Sequence, residues 1–151
     1  MSSDTYDWEN ITKFQVQVVT AIYVWGATEN RQPIVTCGFL EDTDSQLYLP
    51  CKDLNEGQHA AEVAVELFRK YIAVDPRSLD IVPYGFFDPV RPLLDDYDKA
   101  RRIIHLGYQT KIHPGTPVHP DLRFMTNEEL QIARSRIARG HYEAYRTGTN
   151  G

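Results

Sequence analysis

Two glutamates four positions apart are the residues in this sequence best spaced for metal chemistry. Glu62 and Glu66 lie in a segment with helical periodicity, so their carboxylates share one helix face and could hold one Mg²⁺ or Mn²⁺ ion through waters. The competing interpretation is a solvated helix face, because Arg69 and Lys70 follow Glu66 at three- and four-residue spacing and balance its charge. The charge pattern favours the solvated face, and the metal site is the alternative.

A second set of residues has the chemistry to bind a phosphorylated ligand that contains a ring. Guanidinium groups form paired hydrogen bonds to phosphate, aromatic side chains stack on bases, and a histidine can transfer protons. The candidates for these roles are Arg91, Arg101, Arg102, Tyr84, Phe86 and His105. In the alternative interpretation, the arginines pair with the acidic loop that contains Asp95, Asp96 and Asp98, and the aromatic residues fill the core. A lone histidine is more often a structural, hydrogen-bonded residue, so His105 is the weakest of these candidates.

The cysteines and the remaining histidines do not form a metal-binding pattern. Cys37 and Cys51 lack C-x-x-C spacing and are predicted to be reduced thiols of the core. His113 and His119 lie in a proline-rich connection that has no further ligand-type residues at zinc spacing. We therefore expect no zinc site.

Five strands and two helices are predicted to position these candidates. Apolar residues that alternate along the chain predict strands over 14–25, 34–40, 46–49, 79–87 and 100–112. The first of these strands has one strongly apolar face, and the last carries His105 on its polar face. Apolar residues at helical spacing predict a helix over 58–73, which must end before Pro76. A capping box formed by Thr126 and Glu129 predicts a terminal helix that continues to about Tyr145.

Length and composition suit one domain of ordinary type. A chain of 151 residues can bury a single core, which we expect over 13–147 after a lead-in over 1–12. Apolar stretches are too short to cross a bilayer, and the polar, acidic start differs from a secretory signal, so a cytoplasmic protein without membrane association is expected. The net charge of −5 disfavours nucleic acid as the principal partner.

The order of these elements, together with several local sequences, resembles the Nudix hydrolase superfamily. Leu47–Pro50, followed by Glu56-Gly57 and Ala60–Leu67, is similar to the passage from "W-x-L-P-G-G" through "G-E" into "A-A-x-R-E-L-x-E-E-x-G". Downstream segments resemble "D-P-x-R-D-P", "R-V-I-S-V-A-Y" and "W-F-T-x-E-E-L"; they are Phe87–Pro92, Arg102–Tyr108 and Arg123–Leu130. The resemblance implies an α/β protein, a Nudix-like α/β/α sandwich with a mixed β-sheet.

The catalytic signature of the family, the Nudix box, is degenerate in this chain. Cys51-Lys52 stand where the family has a glycine pair, and Gln58 stands where Glu is usual. When Glu66 is matched to the first Glu of the "R-E-L" element, Arg69 and Lys70 occupy the positions of the two later Glu ligands. Two cations at those positions repel a metal ion, so standard Nudix cleavage is not expected.

Three functions follow from the resemblance and its departures. The leading hypothesis is a hydrolase-like, nucleotide-binding domain that binds a nucleoside diphosphate derivative such as ADP-ribose, or a protein partner, without standard Nudix catalysis. The first alternative is a magnesium- or manganese-dependent pyrophosphohydrolase in which Glu62 and Glu66 hold the metal. The second alternative is a structural or assembly protein, and the family resemblance also permits a homodimer.

Overall fold

A mixed β-sheet organises the chain in the computed structural model, which describes residues 14–27, 29–87, 102–138 and 140–150. The strands are β1 (Phe14–Ala27), β2 (Pro33–Glu41), β3 (Leu47–Tyr48), β4 (Cys51–Asp53), β5 (Val82–Phe87), β6 (Arg102–Ile112) and β7 (Arg123–Thr126). The helices are α1 (Ala60–Tyr71), α2 (Asn127–Ile132) and α3 (His141–Asn150). None of these described helices has the length and apolar character needed to cross a membrane.

Strand β1 is the centre of the sheet. One of its edges pairs in parallel with β6, from Phe14↔Arg102 to Val24↔Ile112. The other edge is shared by two antiparallel partners, because β4 pairs with its first half and β2 with its second half. Between these partners, the backbone N–H and the hydroxyl of Thr20 both donate to the carbonyl of Pro50 at 2.9 Å. The corner between β3 and β4 is thereby fixed to β1.

The sheet separates two hydrophobic cores. On one face, α1 packs Val63 and Phe68 against Val18 and Ile22 of β1. On the opposite face, α2 and α3 cover the other half of the β1 side chains, among them Tyr23. This layering confirms the α/β/α sandwich. Val18, Thr20 and Ile22 of the predicted apolar face of β1 are buried, and in the middle of the strand Val19, Ala21 and Tyr23 of the other face are buried as well, because a helical layer covers each face of the sheet.

Element boundaries differ from the sequence predictions in several places. The strand predicted over 46–49 is shorter, and β4 and β7 were not predicted, because strands of three or four residues carry too little periodicity. Strand β5 begins only at Val82, since Pro76–Ser78 form a 3-10 turn that is capped by the Asp75 side chain, which accepts from Arg77 N. The expected lead-in over 1–12 and the acidic loop over 88–99 lie outside the described residues.

The terminal helix is divided into two by an extended segment. The capping box of Thr126 and Glu129 is confirmed at the start of α2. After α2 and a 3-10 turn, Ile137 adopts extended backbone beside Leu47, and the N–H of Ala138 donates to the Leu47 carbonyl at 2.7 Å. Gly140, at φ +87°, then turns the chain into α3. The prediction of one continuous helix to about Tyr145 was therefore wrong. The apolar residues keep their helical spacing across the break, because both helical segments pack against the same face of the sheet.

Candidate functional site

The outward face of α1 carries the charged residues of the degenerate signature. Glu62, Glu66, Arg69 and Lys70 are all exposed there. The carboxylate of Glu66 lies 3.8 Å from the ammonium group of Lys52 on β4, with both side chains about half exposed. Lys52 stands in the segment that corresponds to the family's glycine pair, so a cation faces the helix where the family places backbone close to phosphate and metal. The outward face of α1 therefore carries exposed side chains of both charges.

The loop that leads into α1 is held by hydrogen bonds of its own backbone and of the Gln58 side-chain amide. Gln58 closes a turn in which its N–H donates to the Asn55 carbonyl at 3.1 Å and its side-chain oxygen accepts from Asn55 N at 2.9 Å. Gly57 adopts φ +84° within that turn. The helix cap, His59, makes no side-chain capping bond. Gln58, which stands where Glu is usual in the family, therefore has a local structural role here.

The residues described around α1 do not fit a Nudix-type Mg²⁺ site. Mg²⁺ prefers several converging oxygen ligands, and in this family those ligands are carboxylates of the helix. Glu66 is paired with Lys52, and the two residues that the resemblance matches to the further ligand positions, Arg69 and Lys70, are exposed cations. Across the described part of the chain, no group of three or more His, Cys, Asp or Glu side chains is arranged to hold a metal ion. We therefore derive no catalytic step through a metal.

Of the predicted ligand-binding residues, Tyr84 and His105 have described side chains, and both lie on the face of the sheet opposite to the helix glutamates. Tyr84 packs against the core on the α3 side of the sheet, where burial, and then Cys37, raise the pKa of its hydroxyl. Arg91 and Arg101 lie outside the described residues, as do the side chains of Phe86 and Arg102. The backbone of Arg102 pairs in register with Phe14, at the end of the sheet where β4 leads into α1.

His105 shares its strand face with the polar residues Gln109 and Lys111, as predicted, but it is itself buried. Its exposed fraction is 2%, and its ring packs edge-on against the ring of His141 with centroids 5.3 Å apart. Gly140 lies directly against this ring, since a Cβ built there would come within 2.6 Å of it. The face of β6 that carries His105 is covered there by α3; on the same face, Gln109 is half-buried and Lys111 is exposed.

His141, the partner of His105, joins three elements. Its Nδ1 accepts a hydrogen bond from the N–H of Leu49 at 2.9 Å, and its Nε2 lies 3.0 Å from the side-chain oxygen of Gln17. Because Nδ1 is an acceptor, the proton of the neutral ring resides on Nε2 and donates to Gln17. Burial, and then the charge of His105, lower the pKa of His141 to about 3. The ring is therefore a neutral hydrogen-bonding bridge, which the helical spacing of position 141 did not reveal.

The thiols are placed as the sequence predicted. Cys37 is fully buried and Cys51 is partly buried, and neither forms a disulfide. Burial, and then the nearby charge of Asp53, raise the pKa of Cys51 to about 12. This thiol is protonated at neutral pH and is a poor nucleophile.

Comparison with known proteins identifies similar folds and no close relatives. No family model matches the sequence, and no curated protein matches it. A mutT/nudix family protein from Listeria innocua superposes with a TM-score of 0.66 at 10% identity, over 90% of this chain and 92% of that one. The NUDIX domain of Shewanella oneidensis NrtR, solved in complex with ADP ribose, gives 0.63 at 11% identity over 97% and 94%. The C-terminal domain of mouse MUTYH, solved in complex with human PCNA, gives 0.65 at 12% identity over 90% and 88%.

Proposed function

On the premise that this chain has the Nudix fold, we propose that it binds a nucleoside diphosphate derivative and does not perform standard Nudix catalysis. The observation that carries the second half is the pairing of Glu66 on α1 with Lys52 on β4, whose carboxylate oxygen and ammonium nitrogen lie 3.8 Å apart. In a metal-dependent hydrolase of this fold, that carboxylate would be needed as a ligand. Here a lysine competes with any metal ion for it, and Arg69 and Lys70 add two further positive charges on the same helix.

The binding half of the proposal is supported by fold and by the placement of one arginine. Two similar structures were solved with or named for nucleotide derivatives: the NrtR domain with ADP ribose, and a C. elegans Ap4A hydrolase in a binary complex. In this chain, Arg102 starts β6 at the end of the sheet where β4 leads into α1, and Arg101 precedes it. A pyrophosphate bound near this backbone position would suit the guanidinium groups of Arg101 and Arg102, because guanidinium donors match pairs of phosphate oxygens.

Calorimetric titration with ADP-ribose, Ap4A and a nucleotide sugar tests the binding half. We expect at least one ligand to bind wild-type protein, and the Arg101→Gln/Arg102→Gln variant to bind it at least about tenfold more weakly, since two charge-assisted contacts are lost. The Arg31→Gln/Arg123→Gln variant, which removes two exposed arginines elsewhere, is the matched control. No binding by folded wild-type protein, or equal binding by both variants, would contradict the proposal.

Chromatographic detection of the products of pyrophosphate cleavage, with Mg²⁺ or Mn²⁺ present, tests the catalytic half on the same ligands. For ADP-ribose these products are AMP and ribose 5-phosphate. We expect no turnover above that of the Glu62→Gln/Glu66→Gln variant. Turnover by wild-type protein that this variant abolishes would establish the alternative, a pyrophosphohydrolase in which two helix carboxylates hold the metal.

Restoring acidic residues on α1 sharpens the same test. The Arg69→Glu/Lys70→Glu variant places carboxylates at the two later ligand positions beside Glu66, so we expect it to bind Mn²⁺ where wild-type protein does not. The Arg31→Glu/Arg123→Glu variant makes the same change in net charge away from α1 and controls for general electrostatic attraction. Equal Mn²⁺ affinity in the two variants would show that α1 does not present ligands at those positions.

A further inference from the structure

A cavity lies far from the end of the sheet where α1 begins. This cavity, of about 720 Å³, is open to solvent and lies between the start of β2 and the helices α2 and α3. Its position along β1 is given by the pairing of Trp25 with Val35, whereas Lys52 pairs with Val18. Seven residues of extended strand separate the two positions by about 23 Å, and the two sites lie on opposite faces of the sheet. The cavity is therefore separate from the proposed nucleotide site.

An arginine is held in this cavity by an aromatic ring. The guanidinium carbon of Arg134 lies 4.5 Å from the centre of the Tyr142 ring. The hydroxyl of Tyr142 accepts a hydrogen bond from the side chain of Gln131, which holds the ring in place. Among the described residues, no carboxylate lies within ion-pair distance of Arg134. A guanidinium stacked on one face keeps its edge donors and its second face available to a ligand.

The remaining wall combines positive charge with apolar surface. Arg146 lines the same cavity, and Glu128 is the acidic residue of the lining, so the charged side chains carry one excess positive charge in a chain whose net charge is −5. Ile34 and Val35 form an apolar, half-buried wall on the side of β2. The volume is within the usual range of small-molecule sites, about 300–1,000 Å³.

We propose that this cavity binds a small ring compound that carries a phosphate or carboxylate group. The edge of the Arg134 guanidinium would donate paired hydrogen bonds to the oxyanion, and Ile34 and Val35 would contact the ring of the ligand. The shared chemistry is a planar ring with an oxyanion substituent. A phosphate monoester and a carboxylate are its two sources.

Matched probes separate the ring, the anion and the type of anion. Phenyl phosphate and benzoate share a ring and differ in the oxyanion, benzyl alcohol is a neutral counterpart, and inorganic phosphate lacks the ring. For ligands of this size, we expect a dissociation constant on the order of 1 mM for at least one of the two ring anions. Binding is followed by chemical-shift changes in amide NMR spectra, with the largest changes expected around Gln131 and Tyr142. Benzyl alcohol and inorganic phosphate should bind more weakly.

Three variants test the role of Arg134. Arg134→Gln should weaken binding at least about tenfold, because the charge and the paired hydrogen-bond donors are both lost. Arg134→Lys should give an intermediate loss, since the charge remains without the planar fork. Arg123→Gln removes an exposed arginine outside the cavity and should leave binding unchanged, and the thermal midpoint of each variant confirms that it folds. Binding unchanged in Arg134→Gln, or no saturable change up to roughly 20 mM probe, well above the expected constant, would overturn the proposal.

Discussion

The two faces of the sheet hold their polar groups in different ways. On the α1 face, the polar groups of the helix are charged and exposed, as in the half-exposed pair of Glu66 and Lys52. On the opposite face, the polar groups between α3 and the sheet are neutral and at least half-buried, as in the bridge from Leu49 through His141 to Gln17. A charged surface pair contributes little to stability, whereas a buried group that loses its partner costs its full desolvation. The recognisable signature and the polar contacts that stabilise the fold therefore lie on opposite faces.

The largest effect should come from removing the imidazole bridge. In His141→Leu, the buried N–H of Leu49 and the half-buried side-chain amide of Gln17 each lose a partner. We expect the free energy of unfolding to fall by about 2–4 kcal/mol, measured by urea denaturation. A loss as small as that of a surface substitution would show that the α3 face does not depend on this bridge.

A pair of glycine substitutions compares the faces at matched backbone geometry. Gly140 and Gly57 have φ +87° and +84°, but a Cβ at Gly140 meets the His105 ring at 2.6 Å and a Cβ at Gly57 meets nothing within 4 Å. Gly57→Ala should cost about 1 kcal/mol from the left-handed backbone alone. Gly140→Ala should cost about 2–3 kcal/mol, because the ring must also move. Equal losses in denaturation experiments would mean that the ring moves away without cost.

The pH dependence of stability should reveal the burial of His141 on the α3 face. His141 stays neutral in the folded protein down to a pKa of about 3, whereas in the unfolded chain it takes up a proton below about 6.5. Stability is therefore complete above pH 6.5 and falls as the pH decreases toward 3, by at most about 1.4 kcal/mol per pH unit from this group. His105 is the titratable ring that faces it, and Gln17 is its neutral partner.

His141→Gln supplies the control for that titration. Between pH 7 and 5, the variant should show a flatter stability profile in urea denaturation, because its side chain does not titrate. The pKa values of Asp75 and Glu129 lie below their ordinary 3.8 and 4.5, so these carboxylates affect stability only at lower pH. A wild-type profile that is already flat over this range would show that His141 is accessible to protons in the folded state.

The smallest effect should come from the α1 face. Lys52→Ala removes the partner of Glu66, and we expect the free energy of unfolding to change by less than about 0.5 kcal/mol. A loss comparable to that of His141→Leu would mean that the charged pair supports the fold, and it would remove the distinction between the faces.

The sequence predicted the helical layers better than the contacts between them. Long apolar periods identified β1, β2, α1 and β6, and the capping box located the start of α2. Strands β4 and β7 were not predicted, because their pairing is specified by residues that are distant in the sequence, such as Val19 for Cys51. The interruption of the helix at Ile137 was not predicted, because it depends on a hydrogen bond from the N–H of Ala138 to the carbonyl of Leu47, which is distant in the sequence.

The candidate site was predictable in composition and not in geometry. The substitution of Arg69 and Lys70 for acidic ligands could be seen from the sequence, but the position of Lys52 opposite Glu66 requires the pairing of β4 with β1. His105 was assigned to a polar face because its neighbours on that side of β6 are polar, and its burial depends on α3. The cavity beside Arg134 joins residues from β2, α2 and α3, which have no common pattern in the sequence.

The parallel pairing of β1 with β6 has a consequence for synthesis of the chain. Phe14 pairs with Arg102, so the strand that is made first waits for a partner roughly 90 residues later, a delay of about 5–20 s during translation. The second half of β1 can form a hairpin with β2 early, and β4 can then pair with Gln17–Val19. The edge that faces β6 stays open until Ile112 has left the ribosome. That edge, flanked by apolar side chains on both faces, is where nascent chains are expected to associate with one another or to require a chaperone.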